Sequence, residues 1–139
     1  MKVYTVYKIC CLDDSVGDIY VGSTNSFGKR VNDHGYACNQ IKNSHHNFKL
    51  YQTIRANGGL DNWEIIPIET HENISKKDAR IREEYWRREL CATLNMRKSY
   101  RSKEDLNAYR CMKQKEYNKL KKQLKEKQDN VIIHDGLTL

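Results

Sequence analysis

The chain has 139 residues, 25 Lys/Arg against 18 Asp/Glu, a net charge of +7 and a mean hydropathy of −0.89. That length suits one domain of ordinary size plus an appendage, and with no apolar run approaching the ~18 residues of a membrane span it excludes a membrane-spanning helix. Residues 1–97 hold 14 Lys/Arg against 12 Asp/Glu and residues 98–139 hold 11 against 6, so a nearly neutral body precedes a basic extension suited to a polyanion, most simply nucleic acid.

Residues 3–11 alternate and are rich in Val, Tyr and Ile, and a second such run covers about 18–23. The short loop between them, Asp13-Asp14-Ser15-Val16-Gly17, predicts an antiparallel hairpin, because a parallel crossover needs a dozen residues or more. Asn25 or Ser26 is placed to cap a helix running to about Ile41, with Phe27, Val31 and Cys38 as buried positions. After the polar loop Asn43-Ser44-His45-His46-Asn47, a short helix through Phe48, Leu50, Tyr51, Ile54 and Arg55 ends at Gly58-Gly59, where glycine takes the left-handed conformation. Trp63 to Glu69 reads as a third strand, and Pro67 favours an edge or terminal position.

Ser75, with Asp78 three residues on, opens a helix to about Leu90 with Ala79, Ile81 or Arg82, Tyr85-Trp86 and Leu90 available for burial. Ser102 and Asp105 repeat that cap before a long polar helix to about Gln128, whose apolar stripe is too thin for a coiled coil. Val131 to His134 is read as a short strand or as disordered. The expected fold class is α+β, a small three-stranded antiparallel sheet flanked by helices and followed by a basic helical tail. Five cysteines, odd in number and without a Cys-x-x-Cys, argue for reduced thiols in an intracellular compartment, cytoplasm or nucleus.

The residues with chemistry gather early. Tyr7 and Tyr20 fall in the two strands, and Arg30 and His34, four apart, share a helix face. Taken singly each has an ordinary reading: a strand tyrosine packs, and a helix arginine is solvated. A zinc site from His34 and Cys38 lacks a second ligand pair. His45-His46 is most simply a polar loop, with a lesser chance of touching DNA. In the extension, residues 98–128 carry 11 basic against 4 acidic side chains with Tyr100, Tyr109 and Tyr117 interleaved, which favours a DNA-contacting helix over a merely solvated one.

Thr5-Val6-Tyr7-Lys8-Ile9 and Tyr20-Val21-Gly22-Ser23-Thr24, followed in order by Lys29-Arg30 with His34, Gly58 to Trp63, Arg82 to Trp86 and Ala92 to Asn95, resemble the GIY-YIG nuclease family over about residues 3–97. Thr and Val stand where the family's first motif has Gly and Ile, and Val replaces Ile in the second; neither change touches a tyrosine. The tail looks like that of homing-type or large-virus-encoded members. The resemblance implies a catalytic domain over residues 1–97, a basic helical tail over 98–139, and a DNA endonuclease that uses one divalent ion, Mg²⁺ or Mn²⁺. It implies Glu83 as metal ligand, with Glu84 the close competitor; Tyr7 as general base or water-orienting group, supported by Tyr20; and Arg30 as phosphate clamp. His34 would relay a proton or hold a phosphate oxygen, and Asn95 would order the loop or a phosphate contact behind the site. DNA contacts are assigned to Lys29, Arg30, Lys113, Lys115, Lys121 and Lys122. The expected state is a monomer in solution, with a dimer on DNA as one route to double-strand cleavage. The rival readings are an inactive nuclease fold that only binds nucleic acid, and a protein-interaction domain whose tail meets an acidic partner.

Overall fold

In the computed structural model, which describes residues 2–137, strand β1 (Lys2–Cys11) is the middle of a three-stranded sheet. It pairs antiparallel with β2 (Ile19–Thr24) on one side and with β3 (Trp63–Ile74) on the other. Four helices complete the α+β fold: α1 (Phe27–Asn39), α2 (Lys49–Ala56), α3 (Lys76–Glu89) and α4 (Lys103–Leu137). The chain divides into two compact units between Tyr100 and Arg101, and α4 forms the second.

Strand alternation sorts the core. Tyr7 and Ile9 of β1 pack with Ala37, Cys38, Leu50, Tyr51 and Ile54 of α1 and α2, while Val6 of β1 and Val21 of β2 are fully buried outside that cluster. Pro67 lies opposite Tyr7 on β3, beside a register irregularity at Val6/Tyr7; β3 pairs only with β1, so a residue without an N–H is tolerated there. Strand β3 runs five residues beyond the expected Glu69, because the first half of β1 would otherwise lack a partner on that side.

Helix caps follow the sequence with one exception. The Ser75 hydroxyl accepts from the Asp78 amide at 3.1 Å, and Ser102 and Asp105 cap each other reciprocally at 3.1 and 3.2 Å. Ser26 occupies the N-cap of α1 without a side-chain bond, and Thr24 instead accepts the Ser26 amide at 3.0 Å. The glycines behave as expected after α2, with φ of +93° at Gly58 and +75° at Gly59.

Three burial and boundary expectations are corrected. Ile81 and Tyr85 are exposed at 38 and 45%; α3 buries Ala79, as expected, together with the charged Glu84, which was not. Phe27 and Val31 are only half-buried, whereas Ala37 and His34 of α1 are buried with Cys38. Val131 to His134 belongs to α4, which continues past Gln128 because no proline interrupts it and no glycine occurs before Gly136. All five cysteines are free thiols, and among the described residues no helix is long and apolar enough to cross a membrane.

Candidate active site

The β1–β2 register sets Tyr7 opposite Gly22 and Ile9 opposite Tyr20, so both phenols project from the same face of the hairpin. The Tyr7 ring lies over Gly22: a Cβ at position 22 would stand 2.6 Å from the Tyr7 Oη, 2.7 Å from its Cζ and 3.0 Å from Cε1 of Tyr20. Glycine is required there by close approach. Tyr7 is 1% exposed, with ring centroids of Tyr20 and Phe27 at 6.3 and 5.8 Å.

Helix α1 brings His34 up to the hairpin. Its Nε2 lies 2.7 Å from the Tyr7 hydroxyl and its Nδ1 lies 2.8 Å from the hydroxyl of Tyr51 on α2, forming a buried Tyr7–His34–Tyr51 chain. Burial, reinforced by the Arg30 guanidinium, pushes the imidazole down to about 4. His34 is therefore neutral at pH 7, so one ring nitrogen accepts while the other donates. Burial raises the Tyr7 phenol far above its ordinary range; Tyr20 and Glu83 add to the effect and Arg30 opposes it. Burial also raises Tyr20, and it lifts Tyr51 to about 12. Arg30 is exposed one turn before His34 and makes no ion pair among the described residues, leaving its guanidinium available to a phosphate.

The two adjacent glutamates of α3 are used differently, since successive helix residues point about 100° apart. Glu84 is 5% exposed: Arg87 bonds both its oxygens at 2.6 and 2.7 Å, Arg88 reaches it at 3.1 Å, and the Ser99 amide donates at 3.0 Å. Glu83 is half-buried, and it accepts from the hydroxyls of Ser23 on β2 and, at 2.6 Å, of Ser99. The segment carrying Ser99 is anchored along β2. The Leu94 amide donates to the Ile19 carbonyl at 3.1 Å, and the Asn95 carboxamide bonds both the amide and the carbonyl of Val21, at 3.0 and 2.7 Å. Both polar atoms of Asn95 are thus occupied by backbone. Of its two expected roles, ordering the loop is the one these contacts match.

These pieces enclose a cleft of about 1020 Å³ lined by Tyr7, Tyr20, Arg30, His34, Glu83 and Asn95 together. Lys29 is exposed on α1 and does not line the cleft, and Lys113, Lys115, Lys121 and Lys122 are exposed on α4 in the second unit. Sequence reasoning missed Tyr51, which reads as a core position of an amphipathic helix, and the hydroxyls of Ser23 and Ser99. It also missed the cationic lining: Lys2, Lys76, Arg80, Arg97 and Lys98 join Arg30 around one carboxylate, Glu83. Only the clustering of lysine and arginine at 76–80 and 97–98 hinted at it. Among the described residues no three His, Cys, Asp or Glu side chains gather into a multidentate metal site, so Glu83 is the one acidic ligand the cleft offers.

The model of the GIY-YIG catalytic domain matches residues 3–98, from the start of β1 through the segment that lies along β2. Searches of curated proteins and of solved structures returned no significant match.

Proposed function

This chain belongs to the GIY-YIG nuclease family, and on that footing we propose that it is a metal-dependent endonuclease that hydrolyses DNA phosphodiester bonds. One observation carries the reading: Tyr7, Tyr20, Arg30, His34 and Glu83 come from four separate elements and line a single cationic cleft.

The Glu83 carboxylate, flanked by two hydroxyls, is a hard-oxygen donor set that suits Mg²⁺ or Mn²⁺, with water and substrate phosphate as the remaining ligands. Such a cation, when bound, supplies polarisation of the phosphoryl group and stabilises the departing 3′ oxygen. Ser23 and Ser99 hold the carboxylate in place, and Glu84 holds Ser99 by its amide. Arg30 clamps the scissile phosphate with a planar fork of donors.

Water attacks phosphorus as the bond to the 3′ oxygen breaks, and the proton released must go to a base. A tyrosinate formed in advance is costly, since burial raises both hairpin phenols. The Tyr7–His34–Tyr51 chain offers a route without one. Tyr7 takes the water proton as it passes its own to His34 Nε2; His34 passes its Nδ1 proton to the Tyr51 oxygen; Tyr51 releases its proton into the cleft. Each group gains and loses one proton and ends neutral. His34 suits this step because its imidazole is already neutral at pH 7. Tyr20 packs against Tyr7 and His34, at ring-centroid distances of 6.3 and 5.8 Å, and holds both rings in line.

Further phosphate contacts fall to Lys29 and to Lys113, Lys115, Lys121 and Lys122 of α4; they add affinity with little sequence specificity. The test is supercoiled plasmid incubated with protein and Mg²⁺ or Mn²⁺. Nicked or linear product should form, and Arg30→Ala and Glu83→Gln should each abolish it. An intact plasmid across both metals and several substrates would refute the proposal.

A further inference from the structure

The loop before α2 presents two rings to the cleft that the chemistry does not use. His45 and Phe48 stack face to face, with centroids 4.5 Å apart and ring planes inclined by 18°, and both line the cavity that holds Arg30 and Glu83. Phe48 is 39% exposed and His45 is exposed, so the pair is not core packing. The loop is also braced. Arg55 donates through Nη1 to the Cys38 carbonyl and through Nη2 to the His46 carbonyl, each at 2.8 Å. The His46 ring nitrogen Nδ1 donates to the Ala37 carbonyl at 2.9 Å, and the Asn43 side chain accepts the His45 amide at 2.9 Å. These bonds tie the polar loop that carries the two exposed rings to α1 and α2.

We infer that His45 and Phe48 form a stacking subsite for an unpaired nucleobase next to the scissile phosphate, and that the preferred substrate carries an unpaired nucleotide there. The inference rests on the nuclease reading of the same cleft. Its occupant follows from the surroundings: six Lys or Arg side chains against one carboxylate call for a polyanion, and cationic grooves with aromatic platforms are how single-stranded nucleic acid is held. Bases in an intact duplex have both faces covered, so only a base outside the stack can use the platform. At about 1020 Å³ the cleft reaches the upper end of the range for enclosed ligands, ~300–1,000 Å³, and has room for a nucleotide.

The experiment measures binding without cleavage. In a Glu83→Gln background, fluorescence anisotropy compares a duplex containing a one-nucleotide bulge with the same duplex carrying an abasic residue in the bulge. Stacking predicts about tenfold tighter binding of the base-containing bulge, within the range one stacked base contributes. Phe48→Ala should erase that ratio, Phe48→Trp should keep it, and His45→Ala, at an exposed position that leaves the fold intact, should reduce it. Equal affinity for the two bulges, or a ratio unchanged in His45→Ala and Phe48→Ala, would overturn the inference. Neither result touches the nuclease reading, because cleavage is scored separately with Glu83 intact.

Discussion

Gly22→Ala is the sharpest probe of the site. The left-handed region is not involved at this strand position, so alanine brings no backbone strain and acts only through its methyl group. That methyl would sit 2.6 Å from the Tyr7 hydroxyl and 2.7 Å from its ring carbon. The ring has no free path of retreat: Tyr7 is 1% exposed, Phe27 packs at 5.8 Å, and the hydroxyl is bound to His34 at 2.7 Å. Overpacking of this kind costs about 1–3 kcal/mol. Displacing the phenol leaves the imidazole nitrogen without its partner, adding roughly 1–2 kcal/mol. The total, about 2–5 kcal/mol, is a large share of the 5–15 kcal/mol typical of a domain. Urea denaturation should show the midpoint fall with an unchanged slope, and plasmid cleavage should drop with it. Tyr7→Leu removes the two closest atoms and leaves only the 3.0 Å approach to Cε1 of Tyr20, so adding Gly22→Ala in that background should cost less than about 1 kcal/mol, a coupling expected of residues in contact. A single Gly22→Ala variant within about 0.5 kcal/mol of wild type and fully active would refute the reasoning, as would equal costs in both backgrounds.

Four further outcomes follow from the same geometry. Glu84→Ala leaves Arg87 partly buried and unpaired and should cost about 3–5 kcal/mol in urea unfolding, whereas Glu83→Gln should leave the melt nearly unchanged yet lower cleavage by at least ~10²-fold. The folded pKa of His34, about 4, lies below its unfolded value near 6.5, so the unfolded state binds the extra proton first. Stability from keeping His34 neutral is complete above pH 6.5 and is lost as pH falls towards 4, at up to about 1.4 kcal/mol per unit; urea melts of His34→Gln should lack this dependence. Tyr51→Phe removes the last oxygen of the proton chain and should lower kcat about tenfold with KM unchanged, read from steady-state cleavage. Replacing Lys113, Lys115, Lys121 and Lys122 together by alanine should reduce the slope of log affinity against log salt by about 3 to 4, since each phosphate contact contributes roughly 0.9.

Much of the fold was legible because its signals are local. The Val/Tyr/Ile alternation and the five-residue loop specify the hairpin, the serines at 75 and 102 with an aspartate three on start two helices, and Gly58-Gly59 end another. The identities of Tyr7, Tyr20, Arg30, His34 and Glu83 could be read in the order of their motifs, and the tertiary structure lines one cleft with all of them. Other features were not local. Burial of Glu84 in place of Ile81 and Tyr85 depends on where α3 lands and on the Arg87, Arg88 and Ser99 donors that meet it there. Tyr51 looks like any core residue of an amphipathic helix until α1 sets an imidazole 2.8 Å from its hydroxyl. The sequence alone determined which strands and helices form and which of them carry Tyr7, Tyr20, Arg30, His34 and Glu83, because periodicity, caps and turns act over a few residues. Only the tertiary structure decided that Glu83 lines the cleft while Glu84 is buried, which tyrosine besides Tyr7 meets the His34 ring, and which rings stay exposed. Those outcomes depend on register and packing between segments tens of residues apart, and no local pattern encodes them.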